Sequence, residues 1–391
     1  MLFAKKIEGL GRFMFYAFVL LFPLQIGTLV ADFNDVGLAF KRPYLMHFLY
    51  LADVFLVLSA ASFALLKVVV NIPLSPMPKQ FWLWVFAYFG VLSLGLLPTV
   101  TLDNSVFYFL RGVSFLVAYM IIAFGFVDLK IVKRVFLCLV TFSAVIGLGQ
   151  VIFGSSWGLY MIGESHLSLE MTGVAKTSVF GVDVLRAYGL FLHPNIFAAY
   201  LLFAVAILLN EDLSWRKWIL PLLLVAMVLT FSRSGLIALC VLFAFDSKWR
   251  VWALPILSLL VVVFIGRFLG EGGENFSERL VYLDISVYLL KVYPFGVGLG
   301  NFTLMMAENF PVTFEPWLLQ PVHNAYLLFL NEFGLIAGVV FAFGVYSVLR
   351  KKSPYRNLLL AVLTLFLFDH YFLSLPSGQY LLFMLAGLYL K

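Results

Sequence analysis

Apolar stretches long enough to cross a lipid bilayer recur along the whole chain and restrict its fold more than any other feature. A hydrocarbon core about 30 Å thick requires about 20 apolar residues per helical span, or somewhat fewer where flanking side chains reach the interface. Hydrophobic residues make up 63% of the chain. About 12 such stretches can be delimited: 13–31, 45–66, 81–97, 106–126, 132–153, 196–210, 218–231, 235–245, 251–268, 323–349, 357–373 and 379–390.

These stretches are apolar all round, which is typical of helices buried in lipid and protein. The sequence therefore predicts an all-α, polytopic integral membrane protein with about 12 transmembrane helices. Because it shows no low-complexity linker and no repeat, we expect a single membrane domain over residues 1–391.

The distribution of lysine and arginine predicts the orientation. Cytoplasmic connections carry an excess of basic residues. If the N- and C-termini are both cytoplasmic, most of the 26 basic residues fall on the cytoplasmic side. The net charge of +6 is then explained by membrane anchoring, so the expected surroundings are membrane lipids and no nucleic acid partner is implied.

Two connections are much longer than the others, and both are predicted to lie outside the cytoplasm. They are residues 154–195 and residues 269–322, the second of which joins spans nine and ten. Long ordered loops usually carry function. We therefore expect these two segments to form an active site that acts on something presented at the outer leaflet.

Each long segment holds an arginine suited to binding an anion. Arg186 lies in the loop before a helix that Pro194 should begin, since proline suits the first turn of a helix. Arg279 is expected in the first turn of a helix over about 276–292. A helix N-terminus attracts anions, and guanidinium binds phosphate oxygens bidentately. The alternatives are a lipid-bound interfacial Arg186 and an Arg279 paired with a neighbouring glutamate.

His323 follows Pro321 and is expected in the first turn of span ten. A helix N-terminus disfavours the imidazolium, which leaves the ring neutral and able to accept a proton. Asn324 and Asn331 are seven residues apart and would add polar groups to one face of that helix. The simpler alternative is an amphipathic anchor at the membrane interface. No spacing of His, Asp and Glu predicts a metal site.

Arg111 and Arg233 fall within or between predicted spans, where a charge is costly unless it is paired or faces a polar cavity. Asp53 and Asp369 are their natural partners, and such ion pairs would fix helix positions without any substrate. Contact with a ligand is the other interpretation. The glycine-rich segment 294–302 lies outside any βαβ unit, so it is expected to be a tight turn rather than a nucleotide-binding loop.

Three groups of residues, in this order and spacing, resemble the O-antigen ligase and polymerase superfamily of bacterial envelope glycan assembly. The similarity covers most of residues 186–338. The groups are Arg186 and Gly189 with His193-Pro194-Asn195; then Ser232-Arg233-Ser234-Gly235; then Pro294, Gly296 and Gly298 with His323-Asn324, Leu327, Glu332 and Gly334.

The resemblance implies a GT-C-related glycosyltransferase of the bacterial inner membrane that uses no metal or other cofactor. It would move a glycan from undecaprenyl diphosphate to lipid A–core at the periplasmic face. His323 corresponds to the proposed base of the family, Arg186 and Arg279 to its diphosphate-binding arginines, and Arg233 to its Ser-Arg motif. Asn324 and Arg111 are further candidates for supporting roles. Direct attack with inversion is expected, because no carboxylate pair or obvious nucleophile offers a covalent route.

Other functions fit parts of the same pattern. An O-antigen polymerase or a protein O-oligosaccharyltransferase of the superfamily would use the same site. A transporter or flippase of lipid-linked saccharide belongs to a different class. Transporters often show corresponding broken helices in two halves of the chain, and this sequence shows no such correspondence.

Overall fold

A computed structural model describes residues 2–32, 46–70, 76–179, 181–245, 248–256, 258, 274–310 and 319–389. The ninth predicted span, 251–268, lies mostly outside the described residues. The described helices are α1 (Leu2–Leu21), α2 (Leu51–Val70), α3 (Lys79–Leu94), α4 (Leu102–Ala123), α5 (Leu129–Phe153), α6 (Pro194–Asn210), α7 (Arg216–Leu229), α8 (Arg233–Ala244), α9 (Glu274–Val292), α10 (Phe302–Asn309), α11 (Ala325–Leu349), α12 (Arg356–Leu365), α13 (Tyr371–Ser374) and α14 (Pro376–Tyr389).

The protein is mostly helical, and four of the described helices are long and apolar enough to cross a membrane: α2, α4, α5 and α11. Helices α6, α8 and α12 are apolar but shorter. The prediction of a helical membrane protein is therefore supported. The number of twelve spans and the GT-C relationship remain predictions.

The structure adds two antiparallel hairpins that the all-α prediction lacked. Strands β1 (Gly27–Asp32) and β2 (Met46–Tyr50) form one, and β3 (Lys176–Val179) and β4 (Val182–Leu185) form the other. Strand β1 occupies the end of the predicted span 13–31, which is wrong there because α1 ends at Leu21. Hydropathy alone does not separate a β-rich apolar segment such as β1 from a helix.

Helix α6 forms the centre of the fold. All its side chains from Ile196 to Leu208 are buried, and it packs against α5, α7, α8 and α12. Because α6 is apolar on every face, it is stable only when surrounded by other helices. This central position fixes its first residues relative to four neighbouring helices.

Helix α11 is interrupted at Gly334, where the segment 294–300 packs against its backbone. Gly334 has φ 83°, and a Cβ placed there would lie 2.4 Å from the carbonyl carbon of Phe295. The N–H of Leu335 donates to the carbonyl of Pro294 at 3.0 Å, and that of Val297 to the carbonyl of Asn331 at 2.8 Å. The glycine-rich segment is thus a tight turn, as the sequence predicted, and it holds a break in α11 that was not predicted.

Arg111 forms a buried ion pair with Asp53. Arg111 Nη1 lies 2.5 Å from Asp53 Oδ2, and Arg111 Nη2 donates to the carbonyl of Phe48. The hydroxyl of Tyr380 donates to Asp53 Oδ1 at 3.0 Å. These contacts join α2, α4 and α14. For Arg111 the structure therefore supports the structural interpretation rather than a supporting role in the site.

Replacing Asp53 with Asn should lower the thermal stability of the protein in detergent. The substitution leaves a buried guanidinium without its countercharge, and breaking a buried pair costs about 3–5 kcal/mol. Fluorescence-detected size-exclusion chromatography after heating measures the midpoint. Asp103→Asn is the matched control, since Asp103 is exposed in the first turn of α4. Equal midpoints for the two variants would contradict the structural role of the pair.

Candidate active site

Arg186 follows strand β4 and is buried, with 7% of its surface exposed. Its Nε donates to the carbonyl of Thr230 at 2.7 Å, and its Nη2 donates to Asn195 Oδ1 at 2.8 Å. The guanidinium therefore joins the loop before α6 to the turn between α7 and α8. Pro194 is the first residue of α6, as the sequence predicted, and His193 caps that helix.

The loop that carries Arg186 is held against α5 by the side chain of Gln150. The Gln150 amide accepts the N–H of Gly189 at 2.8 Å and donates to the carbonyl of Gly189 at 2.9 Å and to Glu164 at 2.8 Å. Gly189 has φ 60°, and a Cβ there would lie 2.8 Å from the carbonyl oxygen of Ser143. Glycine is therefore required three residues after Arg186 for this close approach.

Asn195 connects Arg186 to an acidic residue at the end of another helix. Its Nδ2 donates to Asp369 Oδ2 at 3.0 Å, while Asp369 Oδ1 accepts the N–H of His370 at 3.0 Å. Asp369 is buried, with 6% of its surface exposed. The amide of Asn195 thus lies between a guanidinium and a carboxylate and bonds to both.

His323 lies just before helix α11 rather than in its first turn, because Asn324 is the N-cap. Asn324 Oδ1 accepts the N–H of Leu327 at 3.0 Å, so the described role of Asn324 is structural. The His323 ring centroid is 5.3 Å from that of His370 and 5.8 Å from that of Tyr282 on α9. The Nδ1 atom of His323 is buried and has no hydrogen-bond partner among the described residues.

Asn331 is buried against α9, where its Nδ2 donates to Ser286 Oγ at 2.6 Å. Its side chain therefore fastens the first part of α11 to α9, one helical turn from Tyr282, the residue whose ring lies beside His323.

Burial lowers the pKa of His323, and the positive charge of Arg279 lowers it further, whereas Asp369 raises it. The ring is therefore neutral near neutral pH, as predicted. The main cause is desolvation, however, not the helix N-terminus on which the prediction was based.

The pKa of His193 is well below the usual value, mainly because of burial; the charge of Arg186 lowers it further and that of Asp369 raises it. Protonation of His323 or His370 would lower it as well. These groups therefore share one neighbourhood, although they come from three separate parts of the chain: residues 186–193, 323 and 369–370.

Arg279 lies in the second turn of α9 rather than the first, since that helix begins at Glu274, two residues before the predicted start. It is partly exposed, and its charge acts on both His323 and His370. Within the part of the chain that the structure describes, the Arg279 guanidinium forms no salt bridge. The alternative was a pair with Glu274 or Glu278: Glu278 forms none there, and the side chain of Glu274 lies outside the described part. Arg279 is thus a cation close enough to influence both histidines.

Arg233 is the first residue of α8, next to the turn that binds Arg186. Ser232 Oγ accepts the N–H of Gly235 at 3.2 Å and so caps the helix. A Cβ on Gly235 would lie 2.7 Å from the Cβ of Ala198 on α6, so glycine permits close packing of the two helices. The Ser-Arg-Ser-Gly segment therefore positions the carbonyl of Thr230 that receives Arg186.

The sequence interpretation gave no functional role to Asn195, Asp369 or His370. The predicted span 357–373 concealed the last two, because α12 ends at Leu365 and the chain turns before α13. An acidic residue beside a histidine in an otherwise apolar stretch was the available signal.

The helices and this buried cluster of charges define a class: a helical membrane protein whose histidines and arginines gather where apolar helices end. Residues 218–342, about a third of the chain, match the family model for O-antigen ligase. The matched part contains Arg233, Arg279 and His323, while Arg186 and Asp369 lie outside it. No curated protein matches the chain, and no solved structure does. The match supports the O-antigen ligase superfamily and does not distinguish a ligase from a polymerase.

Replacing Asn195 with Asp should destabilise the protein. The new carboxylate would face Asp369 at hydrogen-bond distance and remove its donor, and an unsatisfied buried polar group costs about 1–3 kcal/mol. Thermal unfolding followed by circular dichroism measures the change. Asn210→Asp is the matched control, because Asn210 is exposed at the other end of α6. The bridge has no structural importance if Asn195→Asp unfolds at the wild-type temperature.

Proposed function

We propose that this protein is a membrane glycosyltransferase that moves a glycan from undecaprenyl diphosphate to a hydroxyl of lipid A–core. The observation that carries the proposal is the setting of His323: its Nδ1 has no hydrogen-bond partner among the described residues, and the charge of Arg279 acts on its ring. The O-antigen ligase match over residues 218–342 supports the same reaction class. We place the reaction at the periplasmic face of the bacterial inner membrane, in agreement with the distribution of basic residues.

The proposed reaction is a direct displacement at the anomeric carbon. The acceptor hydroxyl forms the new C–O bond while the bond to the diphosphate oxygen breaks, and inversion follows from this single attack. His323 takes the hydroxyl proton, a role that contributes about 10²–10⁴-fold to the rate. Undecaprenyl diphosphate leaves with its electron pair.

The arginines stabilise the negative charge of the leaving diphosphate. Fixed cations at such a charge are commonly the largest contribution to catalysis. Arg279 is the stronger candidate for direct contact, because it forms no salt bridge among the residues described and is partly exposed. Arg186 contributes its charge from a buried position, where Asn195 and Thr230 hold it. In this route the guanidinium groups stabilise the negative charge of the diphosphate, and no metal ion is required.

Polymerisation of repeat units and transfer to protein would use the same base and the same arginines. We prefer ligation because the two long segments provide enough chain to shape an acceptor pocket. The three reactions differ in product, and a product assay with purified lipid-linked donor separates them.

Replacing His323 with Ala should reduce glycan transfer at least 100-fold, at the lower end of the contribution of a general base. Binding of the lipid-linked donor should remain, because the arginines are unchanged. Transfer is measured with lipid-linked donor and purified lipid A–core, and donor binding by equilibrium filtration. His166→Ala is the control, since His166 is exposed and stacks on Tyr160 in the other long segment.

Near wild-type transfer by His323→Ala would exclude His323 as the base. A ladder of products formed from donor alone would identify the wild-type protein as a polymerase. Loss of donor binding in the variant would mean that His323 serves to hold the donor rather than to accept a proton.

The dependence of rate on pH provides a second test of the base. A base must be neutral, so activity is lost as pH falls through its pKa, which for His323 lies below the ordinary value. Arg279→Gln removes a charge that lowers this pKa, so the acid limb should move to higher pH. Asp369→Asn removes a charge that raises it, so the limb should move to lower pH. Both shifts are measured from initial rates, normalised to the maximum rate of each variant. If the acid limb of the pH–rate profile stays in place in both variants, it reports the titration of a group other than His323.

A further inference from the structure

A mostly apolar groove with a volume of about 470 Å³ runs between α3, α4, α11, α12 and α14. On α14 its lining extends from Gln379 to Tyr389, which is nearly the whole helix and about 15 Å at 1.5 Å per residue. One end lies beside Leu373, close in sequence to His370, and the other end lies at Lys351. The groove is therefore long and narrow and follows the direction of the apolar helices.

The end of the groove at Lys351 is strongly basic. Arg350, Lys352 and Arg356 belong to the same turn between α11 and α12, and no Asp or Glu occurs anywhere from residue 333 to residue 368. In the described ranges none of these four cations forms a salt bridge. Only Lys351 of the four lines the groove. A basic pocket between membrane helices is suited to an anionic lipid head group.

The wall of the groove contains the ring of Trp84. Its Nε1 is buried and has no hydrogen-bond partner among the residues that the structure describes. The ring packs beside Phe343, with centroids 6.2 Å apart. Phe343 precedes Lys351 by eight residues, which is about 12 Å of helix. Trp84 therefore lies at the wall of the groove, well below the cation.

We propose that the groove binds one anionic phospholipid of the surrounding membrane. Its phosphate lies at Lys351, and an acyl chain extends past the ring of Trp84 between α12 and α14. The cation at one end and the mostly apolar length beyond it match the head group and the acyl chain of a phospholipid. Two polar side chains, Glu332 and Gln379, also line the groove. A free phosphate would leave the apolar length unfilled.

The lipid chain of a glycan donor fits this arrangement less well. A polyprenyl diphosphate bound near His323 would carry its negative charge at the end of α11 opposite Lys351. The basic turn would then face only the end of a hydrocarbon chain. The proposal therefore assigns a separate lipid to the groove and does not rest on the proposed function.

Native mass spectrometry of the full-length protein in detergent tests the proposal with phosphatidylglycerol and phosphatidylcholine that share the same acyl chains. We expect one phosphatidylglycerol bound, with a preference over phosphatidylcholine of at least about fivefold, since one basic residue at a membrane surface contributes about 1 kcal/mol. Lys351→Gln should remove this preference. Lys352→Gln is the matched control, because it makes the same change of charge at an exposed neighbour outside the groove lining.

Fluorescence places the lipid within the groove. Phosphatidylglycerol with brominated acyl chains should quench the wild-type protein more than Trp84→Phe, and the difference isolates Trp84 from the other tryptophans. If Lys351→Gln and Lys352→Gln lose the preference for phosphatidylglycerol equally, the proposal is overturned, because a diffuse basic surface would then explain the binding. Equal quenching of wild type and Trp84→Phe would overturn the placement. Displacement of the bound lipid by undecaprenyl phosphate at equal concentration would assign the groove to the donor instead.

Discussion

The side-chain amide of Asn195 separates two opposite charges that would otherwise form a direct ion pair. Arg186 donates to its oxygen and its nitrogen donates to Asp369, so both charged groups are satisfied without meeting. If Arg186 and Asp369 formed a direct buried ion pair, their charges would cancel and neither would act on a ligand. With the amide between them, the positive charge of Arg186 and the negative charge of Asp369 both still act on the surrounding histidines. The electrostatics of the candidate site depend on this separation.

Elsewhere in the described structure, buried and partly buried charges are matched locally. Arg111 pairs with Asp53 in the interior, and the partly buried Lys133 pairs with Glu211 and lies over the ring of Tyr355. Such pairs hold helices in position, because removing either partner leaves an uncompensated charge. Within the described part of the chain, Arg279 differs from them in making no salt bridge, and His323 differs in having an Nδ1 with no hydrogen-bond partner. This contrast distinguishes the groups available for chemistry from those that maintain the fold.

Much of the architecture could be predicted from the sequence where one strong local rule applied. The length of the apolar stretches located most of the helices, and Pro194 gave the start of α6. The cost of charge in lipid predicted a carboxylate partner for Arg111, which is Asp53, whereas the other predicted partner, Asp369, bonds to Asn195. The gathering of Arg186, Arg279 and His323 was a prediction from resemblance, and the charges acting on His193 and His323 are consistent with it. The break after Leu365 could not be predicted, because hydropathy averages over the turn that contains Asp369. For the same reason, the β-rich end of the first apolar stretch was taken as helix.

The interruption of α11 at Gly334 has a mechanical consequence. The part of α11 before the break is fastened to α9 through Asn331 and Ser286, and its backbone is bonded to the turn at residues 294–298. His323 and Arg279 therefore belong to one small rigid unit, whereas the long remainder of α11 crosses the apolar layer. The first residue of that remainder is bonded to the same turn, since the N–H of Leu335 donates to the carbonyl of Pro294. The turn therefore sets the angle at which the two parts of α11 meet, and a side chain at residue 334 would disturb that angle.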